Sequence, residues 1–226
     1  MVSLKKEVDV QPFPASLFSG GPALRILDVA IRAQESRGEL SLDAEIQRYI
    51  RTIHSDWVAD WNCSVYAASG VLELAAGFVR TSSGPSDLPP DFRGKLERAC
   101  GDMNPVEYLE MLAEVVRMLD RQVPLDYEEL PMSGWEFRLA FPYLFGLDAI
   151  LMDEGGREFS DNVRSVVTAE HPYCRAPASA YTTEAQRAMI LFPGEDGLRG
   201  RLHWATRERL VELIDTVSDH MQREHS

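Results

Sequence analysis

A chain of 226 residues with 45% hydrophobic and 26% charged side chains has the composition of an ordinary globular protein and can bury a substantial core. Its 36 acidic against 23 basic side chains give a formal charge of -13, which repels a polyphosphate backbone and excludes nucleic acid as an expected partner. Three widely spaced cysteines, Cys63, Cys100 and Cys174, exclude a disulfide framework and a four-cysteine zinc site, so reduced thiols in a cytoplasmic protein are expected.

Residues 1–21 mix Pro, Gly and Ser without a period and read as a long irregular N-terminal arm. Pro22 can open a first helix with Leu24, Leu27 and Ile31 on one face and Gly38 as its stop. Ser41 can cap a second through Ile53. Ser55 or Asp56 can cap a third, which continues to about Arg80 and includes the longest apolar run, Cys63–Val79. That run is too short and too polar to span a membrane, and no membrane partner is expected. It is expected instead to be the most buried long helix.

The stretch 81–90, rich in Pro, Gly and Ser, breaks the pattern as a loop or hinge. A short helix from Asp91 to Cys100 follows. Asn104, Pro105 and Glu107 then give the clearest helix start in the chain, with Leu109, Leu112, Val116 and Leu119 on the apolar side. Ser133 can cap a helix that Pro142 kinks or divides, and the apolar run Tyr143–Met152 ends at Gly155-Gly156. Asp161–Glu170 reads as helical, Thr182 or Thr183 can cap a helix to Phe192, 194–200 reads as a loop, and Thr206 can cap the last helix. Only 165–168 and 198–204 could be short strands. The expected fold is therefore all-α: a compact bundle of about six to nine helices, forming a single domain over 22–226.

Chemistry is sought where polar groups interrupt apolar helices. Glu73 is the one acid in its apolar run, and helix geometry sets Tyr66, Ser69, Gly70, Gly77 and Arg80 near its direction. A buried carboxylate there could act as a base, a metal ligand or an anchor, or be held by an arginine. Asp148 stands alike among apolar neighbours, and facing Glu73 it could share a proton or a divalent cation. Trp57 and Trp61, one turn apart, offer a face for stacking or for the core. His171-Pro-Tyr-Cys174-Arg175 places a thiol three residues from an imidazole and beside a guanidinium, a pattern compatible with an activated cysteine.

The five histidines show no His-x-x-x-His or His-Glu-x-x-His spacing, so no metal ligand is assigned from the sequence, and His220 and His225 read as structural or idle. No cofactor is legible. The run Leu24–Gly38 resembles the first helix of TetR-type repressors, whose helical body binds small ligands; the chain departs from that family in lacking a recognition helix or basic cluster before Trp57. The expected function is a helical binding protein that engages a small molecule in an inter-helix pocket or a basic protein on its acidic helices. The alternative is a helical enzyme using Glu73 and Asp148, with or without a divalent metal. The ligand-binding candidates are Glu73, Tyr66, Asp148, Trp57, Trp61, His171 and Arg175.

Overall fold

Short polar side chains start several helices where the sequence places them. Ser41 Oγ accepts from the Ala44 N–H at 3.1 Å, Asn104 Oδ1 from Val106 and Glu107 at 2.9 and 3.3 Å, and Thr206 Oγ1 from Arg209 at 3.1 Å. Ser133 and Glu136 form a reciprocal capping box. Each device satisfies amide donors that a first helical turn leaves open.

A computed structural model of the chain describes residues 21–82, 88–153 and 158–225. Its helices are α1 (Pro22–Glu35), α2 (Leu42–His54), α3 (Trp57–Asn62), α4 (Val65–Thr81), α5 (Pro90–Cys100), α6 (Pro105–Asp120), α7 (Gly134–Ala140), α8 (Pro142–Asp153), α9 (Phe159–Ala169), α10 (Arg175–Leu191), α11 (Glu195–Arg199) and α12 (Arg207–Glu224). The fold is all-α: among the described residues helix predominates and no strand occurs. The irregular arm expected at 1–21 lies outside the described residues except for Gly21, as do 83–87 of the expected loop and the Gly155-Gly156 stop. No helix among the described residues is long and apolar enough to cross a membrane.

The chain divides into two compact units, 1–126 and 127–226, where the sequence reading draws one helical domain. The 81–90 stretch falls inside the first unit. There α1 packs on α2, α4 and α5, and α4 lies along α6; Ile26, Leu27, Ile46, Leu72, Phe92, Leu109 and Leu112 are fully buried between them. In the second unit α12 packs on α9 and α10, and α10 on α8. Phe137, Phe141, Leu144, Leu147, Val163, Leu202 and Leu213 form its core.

Four expectations are corrected. The helix expected from Asp56 to Arg80 is two helices, because Ser64 leaves helical geometry and accepts from the Ala67 N–H at 3.2 Å, starting α4 afresh. Nor is α4 buried all round: Leu72 is fully buried, but Tyr66 is 75% and Leu74 46% exposed. The helix expected at Thr182 begins at Arg175, and Thr182 Oγ1 donates back to the carbonyls of Ala178 and Ser179 within it. The possible strands are helical or turn, with 165–168 inside α9.

Pro142 does divide its helix, and the start of α8 is capped from another element. The amides of Tyr143 and Leu144 donate to the two carboxylate oxygens of Glu184 on α10, at 3.3 and 2.9 Å. Burial pushes the Glu184 pKa up, and the hydrogen bonds from Leu144 and Tyr143 oppose the shift. Glu184→Ala should lower stability by about 1–2 kcal/mol in urea denaturation, as loss of a cap does. Because the folded pKa is raised above the ordinary 4.5, this group's contribution is fully present below that pH and is lost as pH rises through the folded value. Glu184→Gln should remove that decline from the stability–pH curve.

Candidate metal centre

The turn between α9 and α10 carries His171 and ends at Cys174, which is the residue before the first helical residue of α10. The His171 N–H donates to the Thr168 carbonyl at 3.0 Å, the Tyr173 N–H to Glu170 at 2.7 Å, and the Ala178 N–H to Cys174 at 2.8 Å, so the turn is held by its own backbone. Helix α12 packs over α9 and α10 and brings His220 against the turn from its buried face. His225 follows the end of α12. Two residues five apart on a regular helix point about 140° away from each other. The chain leaves helical geometry at His225, with φ -132° and ψ 17°, and its ring returns to the same point as His220.

The result is a cluster of three imidazoles around one thiol. Cys174 Sγ lies 2.9 Å from His225 Nε2, 3.3 Å from His220 Nε2 and 3.9 Å from His171 Nδ1. One ligand atom from each of the four residues falls within 4.8 Å of all the others. A tetrahedral ion with metal–sulfur near 2.3 Å and metal–nitrogen near 2.0–2.1 Å sets sulfur and nitrogen about 3.5 Å apart. The three sulfur–nitrogen distances straddle that value. Cys174 is fully buried and His220 nearly so, whereas His171 and His225 are exposed, so the cluster spans from the core to the surface.

The donor set suits a borderline-soft divalent ion. One thiolate and three neutral imidazoles fit zinc, with cobalt as its spectroscopic substitute, and not the oxygen-seeking magnesium or calcium. Packed around an ion, the four side chains would also satisfy polar atoms brought into the α9–α12 core.

Of the sequence candidates, His171 is the one this cluster takes. Arg175 is exposed at the first residue of α10. Glu73 is half-exposed on α4 and pairs with Arg117, whose pKa the hydrogen bond to Glu73 pushes up; Arg117 Nε also donates to Ser69 Oγ at 3.2 Å. Tyr66 projects from the same exposed face. Asp148, in the second unit, is partly buried and lies 2.8 Å from His203 Nδ1. Each carboxylate is thus matched within its own unit. The side chains of Trp57 and Trp61 lie outside the described residues.

Sequence reasoning missed Cys174, His220 and His225 as ligands, although a signal was there. His171-x-x-Cys174 and His220-x-x-x-x-His225 are two ligand pairs with spacings that recur in zinc sites. Comparison with protein-family models, with curated proteins and with solved structures finds no match to this chain.

Proposed function

We propose that this chain is a helical metal-binding protein whose ion, of the zinc class, is held by His171, Cys174, His220 and His225. The observation that carries the reading is the convergence of four ligand atoms from the α9–α10 turn and the end of α12 within 4.8 Å. Cys174 is fully buried and His220 nearly so, and one shared ion would give these two buried polar groups and the two exposed imidazoles a common partner. This narrows the small-ligand reading of the sequence to a metal ion. The carboxylate enzyme reading gains no support, since Glu73 and Asp148 are engaged by Arg117 and His203.

The test is direct. Chain stripped with a chelator and dialysed against zinc should retain one ion per molecule by elemental analysis, and His220→Ala should retain none. Zinc uptake by His220→Ala equal to the parent would sink the proposal. By contrast, Glu73→Gln should leave both zinc content and melting temperature nearly unchanged, because exposed ion pairs contribute little.

A further inference from the structure

The buried stripe that holds α12 in its unit runs through Leu210, Leu213 and Val217 and ends at His220. The positions that would continue it, three and four residues on, are Arg223 and Glu224, and both are exposed. Met221 packs partly against the core, and Gln222 faces solvent. The pair of Arg223 with Asp219 at 2.9 Å stays within α12 and ties its last turn to no other element. Opposite this turn the seam with α9 is open: Arg164 and Thr168 on one side and Asp219, Arg223 and Glu224 on the other line a cavity of about 440 Å³.

A final helical turn with so little buried is the kind that frays in solution. One residue beyond it, however, His225 Nε2 lies 2.9 Å from Cys174 Sγ, the shortest of the three imidazole–thiol distances. Cys174 is fully buried and precedes the first residue of α10, so it is a fixed post. The α9–α10 turn around it is held by its own backbone hydrogen bonds. Without an ion the tie is a single thiol–imidazole contact. A thiol is a weak hydrogen-bond donor, and one such bond does not repay the ordering of a turn with exposed side chains. A metal bond does, because ligation energy is available to fix the segment that supplies the ligand.

Resting on the metal reading above, we propose that the ion is a latch, binding His225 and so docking residues 222–225 onto the α9–α10 turn, and that loss of the ion frees this segment while α12 up to His220 stays packed. Metal occupancy thereby sets whether the end of α12 is docked or free, a zinc-responsive switch. Latching makes only metal–ligand bonds and releases the Cys174 thiol proton to solvent, with no change in oxidation state.

The experiment uses the full chain, stripped with a chelator and then divided, one half being saturated with zinc and the zinc content of both halves measured. Amide hydrogen exchange is read residue by residue. In the stripped chain the amides of 222–224 should exchange nearly as fast as in an unstructured peptide, while those of Leu213 and Val217 stay protected. Zinc should slow 222–224 by about tenfold or more, as docking of a frayed segment does. His225→Ala under the same zinc should leave 222–224 as fast as in the stripped parent, because the remaining α12 ligand, His220, lies before the freed turn. One equivalent of zinc bound with exchange at 222–224 unchanged would overturn the latch and leave the metal reading standing. Parent-level protection in zinc-treated His225→Ala would do the same. A parent chain that retains no zinc would overturn the metal reading, and the latch with it.

Discussion

Cys174→Ala should weaken zinc binding by more than about 100-fold in competition with a chromophoric chelator, exceeding the about 10–100-fold typical of losing an outer-shell partner. The thiolate is the only anionic ligand of the set, and it is the fully buried one around which the three imidazoles are arranged. Removing it leaves three neutral donors with no charge to hold a dication in a partly dry site. Stability should follow occupancy. With free zinc about 100-fold above its dissociation constant the parent should gain about 2.7 kcal/mol, and the variant should gain almost none at the same concentration. Cys63→Ala, in the first unit, should bind zinc as the parent does.

Leu72→Asp and Leu74→Asp, two residues apart on α4, should differ by several kcal/mol. Leu72 is fully buried in the first unit, so an aspartate there meets the cost of an unpaired charge without solvent, on the order of 3–5 kcal/mol or more. Leu74 is 46% exposed and an aspartate can turn to water, so a change of about 1 kcal/mol or less is expected. Chemical denaturation of both variants reads the contrast directly. Equal losses would show that the outer face of α4 is covered after all.

That contrast also marks where the sequence is legible and where it is not. Caps at Ser41, Asn104, Ser133 and Thr206 are local chemistry, a side-chain oxygen within three residues of the amides it serves, and they read correctly from the chain. The burial of α4 is not local. Its apolar composition suggests immersion on every side, yet within its unit it packs chiefly on α6 and α1, leaving Tyr66, Gly70 and Leu74 outward. Glu73 thereby loses the desolvated setting that made it a candidate, since it stands at the edge of this outer face with Arg117 beside it.

The metal centre shows a different limit. Its two ligand pairs have recognisable spacings, but the pairs are separated by the whole of α10 and α11, and only the packing of α12 on α9 and α10 closes them together. His220 and His225 do not share a face of a regular helix, and the departure from helical geometry at His225 that aligns them has no signature in the residues. A cysteine flagged for its histidine neighbour was thus half of the site.

The most direct test is zinc-edge X-ray absorption of the loaded chain. The expected shell contains one sulfur near 2.3 Å with nitrogen or oxygen near 2.0–2.1 Å, carrying the outer scattering of imidazole rings. The sulfur contribution should vanish in Cys174→Ala. A parent spectrum of light atoms alone, without sulfur, would contradict a centre built on Cys174, His171, His220 and His225.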